Sequence, residues 1–597
     1  MSIFSSKKYF LITFILFSAL LQSSYSATLP PFSNVGNFDP GVIDHTNLMQ
    51  IKEYENRKKL QDEEELKGQE QIEIEKRKLE EMEKLPNKEL SFILRSVSFK
   101  GNTAYTDEEL LHLICDKIET EVTVGDLIEY CNLITDYYQQ RGYLSSIAYM
   151  PPQKILDGNV EIIITEGRYG NVTIEGNKWS RDRYISKQFL QDKNIETEKL
   201  VNIKDIQEAL REINASGYMQ GSVELSDNED SFAYTDVQLN IKDRFPFDFD
   251  VRVDNQGRSE VGLNRVVLFA GMYNLTGLGD KLLSTTSIGA HSIGQGVFYS
   301  MPIAKNETKL SLGYSYSGTQ IDNYPIAGGL LNVDMKGKSH DFFVNLSRRF
   351  IKTENYKLYG DITFDMRNTD TSVIDAVTEY DYGGALDYYY KTRSIKLNLT
   401  QIKDDFYGKW FAGTGVTFGL PWFNASGDYS GEYRTRPGNN YTKINANIAR
   451  LQVLPWNSLA ILQAGGQWSS RGLWAADQMQ LGGIASVRGY QESFFLADSG
   501  ITASAELRIP VPFLGMILPE KLKFIDDSIR LAGFYDFGWM AQSWSNDPNY
   551  LMSVGGGVVL KLTKYLSGNV YVGIPIGAKP ENSSNCRVHF TVTSNIL

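Results

Sequence analysis

From Phe245 onward, apolar and polar residues alternate in stretches separated by turns rich in Gly, Asn, Asp and Pro. Residues two apart share one face of a strand, so alternation gives a ribbon apolar on one side and polar on the other. Asn264 to Asn274, Lys309 to Tyr316, His340 to Ser347, Lys357 to Met366 and Thr442 to Ala449 read this way. So do Leu459 to Trp468, Thr502 to Ile509, Ser528 to Phe537, Leu551 to Lys561 and Gly568 to Ile574. Alternating segments of about ten residues are the pattern of strands that cross a membrane as a closed barrel. At that length plus turns, residues 244–597 hold about 16 antiparallel strands. Between Tyr380 and Trp422 the pattern fits either one long hairpin or two shorter elements. A β-sandwich array would need two apolar faces per domain and repeated domain punctuation, and neither is visible.

Upstream, the period changes and an internal repeat appears. Val97-Ser98-Phe99-Lys100-Gly101-Asn102 recurs as Val172-Thr173-Ile174-Glu175-Gly176-Asn177, about one small domain further along the chain. Arg141-Gly142-Tyr143 ends a helical stretch in the first copy, and Ser216-Gly217-Tyr218 does so in the second. An alternating strand closes each copy, Val160 to Ile164 and Val237 to Ile241. Each unit reads strand, helix, helix, strand, strand, which divides an α+β arm into residues 91–167 and 168–243. Thr106 with Glu109 three residues on forms a capping box, and the second helix runs from Val124 to Gln140 until Gly142 stops it.

The N-terminus reads as a secretory signal over residues 1–26. Lys7 and Lys8 precede an apolar run from Phe10 to Leu21, and Ser24-Tyr25-Ser26 forms a small-x-small cleavage site. That run is short of the roughly 20 residues of a spanning helix. No later stretch is long and apolar enough for one, which excludes a helical membrane protein and leaves a barrel open. Residues 27–50 are rich in Pro, Gly and Asn, with an amphiphilic tail from Val42 to Met49. Residues 51–90 carry a run of Glu, Lys, Arg and Gln that reads as a charged helical spacer, with no steady heptad for a coiled coil.

Charge and chemistry narrow the function classes. A net charge of −12 offers no basic field for phosphates, so nucleic acid is not an expected partner. Cys115 and Cys131 fall in one small domain, and whether they pair depends on a Cα separation that the sequence does not supply. Cys586 reads as a small apolar residue on a strand. The five histidines are scattered without a His-Glu-x-x-His spacing, and Gly313-Tyr314-Ser315-Tyr316-Ser317 lacks the last Gly of a nucleophile elbow. Gly413-Thr414-Gly415 and Gly555-Gly556-Gly557 sit in strand patterns without a following helix, which speaks against phosphate binding. No enzyme, cofactor or metal site is expected.

With signal, two tandem units and a barrel of about 16 strands, the chain resembles the outer-membrane transporters of two-partner secretion, the haemolysin-activator type of the Omp85 superfamily. The likeness covers nearly all of the mature chain. Its small units are periplasmic POTRA domains, and Gly142-Tyr143 to Glu166-Gly167, with Pro151-Pro152-Gln153 inside, resembles the end of the first. Asn274-Leu275-Thr276-Gly277-Leu278-Gly279-Asp280 resembles the family's early barrel hairpin. Val487-Arg488-Gly489-Tyr490 matches the signature of a long loop that folds into the lumen, and Phe534-Tyr535-Asp536-Phe537-Gly538 matches a strand motif whose acidic residue faces inward. In the family these two meet. A wide polar lumen would leave Arg488 partly hydrated, with Asp536 as a fixed carboxylate for a charge-assisted bond. Gly489 would relieve crowding at the tip, and Gly538 would admit the loop to the wall.

The resemblance implies a secreted exoprotein client of the haemolysin or adhesin type with its own N-terminal secretion domain. It also implies outer-membrane lipid around the barrel, barrel-assembly machinery during biogenesis, and a plug helix between Pro40 and Gln50. The alternative within the superfamily is an insertase of other barrels, whose members usually carry more than two such units. A passive porin would have no use for the arm or the lumen motif. The chain departs from the superfamily at its end, Ser594-Asn595-Ile596-Leu597, where an aromatic residue is usual. Val588, Phe590 and Val592 still alternate, so either Leu597 is the apolar terminus or the strand closes near Val592.

Overall fold

A computed structural model describes residues 72–74, 91–155, 157–190, 195–214, 218–228, 234–258, 260–304, 307–326, 331–353, 355–375, 386–427, 437–511, 528–542, 545–563, 565–576 and 585–596. The signal, the plug helix and most of the charged spacer lie outside these residues. The exception corrects the helical expectation: Ile72–Ile74 (β1) is a strand. Two β-branched residues flank one Glu there, a local preference that suits an extended ribbon, and a sheet edge further on accepts it.

The first domain contains β2 (Ser91–Ile93), β3 (Ser96–Lys100), α1 (Asp107–His112), β4 (Glu121–Thr123), α2 (Val124–Gln140), β5 (Ile147–Tyr149) and β6 (Asn159–Thr165). Its main sheet has the order β3-β6-β5, with β3 parallel to β6. Alternation along β6 buries Val160, Ile162 and Ile164. Helix α2 buries Leu127, Cys131, Ile134 and Tyr138, one face at helical spacing, onto that side. Capping boxes start both helices: Thr106 with Glu109, as its sequence suggests, and Thr123 with Asp126. The Thr123 N–H and hydroxyl hold the Asp126 carboxyl below the usual carboxylate range.

The second domain repeats the plan with β7 (Arg168–Glu175), α3 (Asp182–Leu190), α4 (Ile203–Asn214), β8 (Met219–Asp227) and β9 (Tyr234–Asp243). Its sheet runs β7-β9-β8, and β1 adds to the outer edge of β8 in parallel, Ile72↔Val223 to Ile74↔Leu225. The repeat extends to its hydrogen bonds. Asn102 Nδ2 donates to Tyr105 O and Asp107, and Asn177 Nδ2 donates to Ser180 O and Asp182. A carboxylate at the end of each domain closes the same turn. Glu166 accepts from Thr103 N, Ala104 N, the Thr103 hydroxyl and the Tyr138 hydroxyl. Asp243 accepts from the backbone N–H groups of Lys178, Trp179 and Ser180, each at 2.8 Å.

The two cysteines of the first domain are not bonded to each other. Cys131 points into the core from α2, while Cys115 is exposed on a short turn beside His112 and Asp116. Burial pushes the Cys131 thiol up to about 12.

Sixteen described strands form the closed barrel. They are β10 (Phe247–Asp254), β11 (Arg265–Tyr273), β12 (Lys281–Ile288), β13 (Ser292–Ala304), β14 (Thr308–Ile326), β15 (Leu331–Lys352), β16 (Tyr356–Asp375) and β17 (Leu386–Asp405). Next come β18 (Gly408–Gly419), β19 (Thr442–Leu454), β20 (Ser458–Ser469), then the inserted β21 (Met479–Leu481) and β22 (Phe495–Ala497). The wall resumes with β23 (Ser499–Pro510), β24 (Ile529–Gln542), β25 (Ser545–Thr563), β26 (Leu566–Pro575) and β27 (Arg587–Asn595). The ambiguous stretch is one hairpin, β17–β18, closing at Asp405↔Gly408. Along β10, Asp248, Asp250, Arg252 and Asp254 turn into the lumen and are buried, while Phe247, Phe249, Val251 and Val253 face outward. This is the polar-in, apolar-out alternation of a membrane barrel.

Strand β27 runs on past Val592 and closes against β10 from Asp250↔Asn595 to Asp254↔Thr591. Beyond that ladder, Asn255 continues the seam with its side chain, donating to Val588 O at 2.7 Å and accepting from Phe590 N at 2.9 Å.

Two outcomes follow from the domains. Glu166→Ala strands the buried Tyr138 hydroxyl together with the part-buried N–H groups of Thr103 and Ala104, and should lower the first domain's stability by about 2–4 kcal/mol. Amide exchange of β3 and β6 in the full chain measures this, and unchanged protection would show that the carboxylate is dispensable. At pH 8 a thiol raised to about 12 is thiolate in only about one part in ten thousand. Iodoacetamide should therefore modify Cys115 and spare Cys131 until urea unfolds the domain, as peptide mass mapping would read.

A re-entrant loop held on both walls of the lumen

Residues 470–498 leave the wall after β20, fold into the lumen and return at β23. Strands β21 and β22 pair as their stem, Met479↔Ala497 to Leu481↔Phe495. The tip carries the first sequence motif and meets the second. Arg488 donates to Asp536 through Nε (2.8 Å to Oδ2), Nη2 (2.8 Å to Oδ1) and its backbone N–H (3.0 Å to Oδ2). Its Nη1 pairs with Glu506, and Nη2 reaches the Ser504 hydroxyl at 3.2 Å. The guanidinium lies 3.6 Å from the Phe534 ring centroid and 5.0 Å from that of Tyr571. Arg508 and the Tyr571 hydroxyl satisfy the other oxygen of Glu506.

One expectation needs correction: Arg488 is not partly hydrated. It is 5% exposed and Asp536 is 0% exposed, because two aromatic rings and the loop itself exclude solvent. A charge in that setting is tolerable only when paired and fully bonded, so removing one partner costs more than the pair contributes. Two cations, Arg488 and Arg508, face two carboxylates, Asp536 and Glu506, so the cluster is neutral.

The other motif residues shape the contact. Gly489 has φ +99°, and a side chain there would meet the Gly573 backbone of β26 at 3.0 Å. Its N–H donates to His589 Nε2 on β27 at 3.1 Å. A Cβ at Gly538 would stand 2.5 Å from Leu481 and 2.9 Å from Val487, so these loop side chains would have to shift for the loop to seat against β24. Val487 and Tyr490 are buried with Leu481, Ala497, Met540 and Leu551, and the Tyr490 hydroxyl donates to Met552 O at 3.3 Å.

Sequence reading did not find the second attachment. A short turn, Ala475–Asp477, presses the loop's shoulder onto β15, β16, β17 and β19. Trp474 stacks on Tyr390 with centroids 4.6 Å apart and planes 1° apart, both rings buried. Tyr441 donates to the Asp477 carboxylate at 3.2 Å, Lys443 donates to Asp477 O at 3.0 Å, and Arg367, itself paired with Asp341 at 2.8 Å, stands 3.8 Å away. Asp498 ties the two legs, accepting from Leu473 N and the Gln478 amide. The only signal was an apolar Leu-Trp-Ala-Ala run before an Asp, inside a loop. Between shoulder and tip stand Gly482 and Gly483, at φ +103° and +92°. Among the described residues, no group of His, Cys, Asp and Glu is arranged to hold a metal ion.

A family model described as haemolysin secretion/activation protein ShlB/FhaC/HecB matches residues 233–561, and one for a ShlB-type POTRA domain matches residues 92–167. The heme/hemopexin transporter protein HuxB of Haemophilus influenzae (strain 86-028NP) is 25% identical over 511 residues, 83% of this chain and 86% of the relative. The outer membrane transporter CdiB of Escherichia coli is 24% identical over 506 residues, 81% of this chain and 79% of the relative. Among solved structures, CdiB from Escherichia coli aligns with TM-score 0.64 at 19% identity, covering 96% of this chain and all of the other. BamA from Haemophilus ducreyi lacking POTRA domains 1–3 aligns with TM-score 0.50 at 15% identity, covering 84% and 100%.

Trp474→Ala removes the stacking partner of Tyr390 while leaving the tip untouched. Amide exchange across residues 471–481 should rise about tenfold, the effect of losing about 1.4 kcal/mol, with β23 and β24 unchanged. Equal exchange in variant and parent would mean that the shoulder does not hold the loop.

Proposed function

The chain belongs to the haemolysin secretion/activation protein family ShlB/FhaC/HecB, outer-membrane transporters of two-partner secretion, and from that premise we propose how its parts divide the work. The two POTRA domains hold an unfolded exoprotein client in the periplasm, and the barrel conducts it outward. The observation that carries this reading is the loop itself: it crosses the lumen and is fastened by a neutral, buried ion cluster at Arg488 and Asp536. A passive pore has no use for such a fastening. A conduit that must be sealed at rest does.

Client capture is supported by the edge of β8. It already takes an extended segment, β1, by backbone pairing, and edge pairing demands little of side-chain sequence. That suits a long, repetitive, β-rich client of the haemolysin or adhesin type. The heme/hemopexin and CdiB relatives mark the kinds of exoprotein system in which such a transporter works. For conduction, the tip must part from Asp536, and the Gly482-Gly483 pair gives the chain freedom to do so between tip and shoulder. No chemical step on the client is required by this scheme.

Arg488→Ala leaves Asp536 and Glu506 facing Arg508 alone, so the tip loses its fastening while the wall strands keep their ladders. The barrel should still reach the membrane at normal level and migrate as a heat-modifiable species. Export of the client should fall by about tenfold, the factor that about 1.4 kcal/mol lost from the seated state of the tip corresponds to. Undiminished secretion at normal protein level would sink the role of the tip.

A further inference from the structure

The lipid-facing side of β10 does not stop at the barrel rim. Its outward residues Phe247, Phe249, Val251 and Val253 lead down to the periplasmic end. There the Phe247 ring meets Phe245, with centroids 6.3 Å apart, and Phe245 meets Trp179 edge-on at 5.1 Å and 74°. Trp179 is not part of the barrel. It sits in the turn between β7 and α3 of the second domain, so an aromatic ladder runs from the lipid face onto the arm.

Two of its three members stand in the open, Trp179 at 53% and Phe245 at 55% exposed. The turn is rigid, because the N–H groups of Lys178, Trp179 and Ser180 all donate to Asp243 and Asn177 bridges Ser180 to Asp182. Trp179 therefore cannot fold back without breaking several bonds. Exposed Lys178, Arg181 and Arg183 flank it. Arg181 lies against Gly277 of the β11–β12 turn, whose Leu275 and Leu278 are also exposed, at 56% and 49%. The internal repeat supplies a control. The first domain has the same turn, closed by Glu166, but the residue matching Trp179 is Ala104. The aromatic is present only in the copy that adjoins the membrane.

We infer that this turn is a membrane foot. Trp179 and Phe245, with Leu275 and Leu278, enter the headgroup–acyl boundary of the periplasmic leaflet, and Lys178, Arg181 and Arg183 face lipid phosphates. Indole rings favour that boundary because one edge is polar and the body apolar, and basic side chains beside it add attraction to anionic headgroups. The foot fixes the tilt of the second domain beneath the lumen, and so aims the β8 edge.

The test uses the full chain in vesicles of phosphatidylethanolamine and phosphatidylglycerol. Cys115 and Cys586 are replaced by Ser, and buried Cys131 is left in place. A spin label is put at Lys178→Cys, or at Lys204→Cys on α4 as the water-facing control. The ratio of oxygen to nickel-chelate accessibility at 178 should exceed the control by about threefold or more, as expected of an interfacial site. Trp179→Asp with Phe245→Asp should bring it back to the control value while the barrel stays heat-modifiable. Equal accessibility at 178 and 204 in the parent chain would overturn the proposal. So would a high ratio that survives the double substitution. Vesicles of phosphatidylcholine alone separate the two contributions: a ratio that falls by half or less keeps the apolar foot, and loss of all contrast there would overturn it.

Discussion

A guanidinium that is almost wholly enclosed has to be answered by carboxylates, and that constraint organises the middle of this molecule. Arg488 can be buried only because Asp536 offers both oxygens, Glu506 adds a second charge and Phe534 lies under its face. Those partners stand on β23 and β24, so the wall must be closed and in register before the tip can seat. Glycine at 489, 538 and 573 then follows from distance, since the backbone of the loop runs in contact with β26 and the side chains of Leu481 and Val487 lie on Gly538 of β24. The fastening and the choice of small residues beside it are consequences of one buried charge.

The chemistry of that cluster was legible because it is local in type, even though its members are far apart in sequence. An Arg between small or aromatic neighbours, and an Asp in an alternating strand followed by Gly, carry their meaning in a few letters. Its burial was not legible, because a wide barrel with an empty lumen would have left Arg488 wet. Only the depth of the loop, and the rings of Phe534 and Tyr571 around it, decide otherwise. The shoulder was missed for a related reason. Tyr390, Tyr441, Lys443 and Arg367 become neighbours of Trp474 and Asp477 only once strand registers are fixed, and no single stretch announces the group.

The arm shows the same division. The internal repeat marked the two units, while period and capping marked the helix from Val124 to Gln140 and the turn that follows, since these rest on interactions a few residues apart. The pairing of the ends of each unit rests on Glu166 and Asp243, each more than sixty residues from the turn it closes, and an isolated acid at the end of a strand looks like any surface carboxylate. Cysteines two helical segments apart left bonding open, and the helix face decided it by turning Cys131 inward. The charged spacer was read from composition, which describes solubility well and conformation poorly: Ile72–Ile74 takes its shape from a sheet edge, not from its own neighbours.

That small strand has a consequence for the protein as one molecule among many in a crowded compartment. A bare β-edge is a template for any other bare β-edge, including that of an identical neighbour, and proteins that leave one uncovered invite stacking into aggregates. With β1 laid along β8, the middle of that edge is taken, and the outermost strand the arm presents to its twins is a very short one. The covering is only three residues long, so it shields the edge against casual encounters without sealing it permanently.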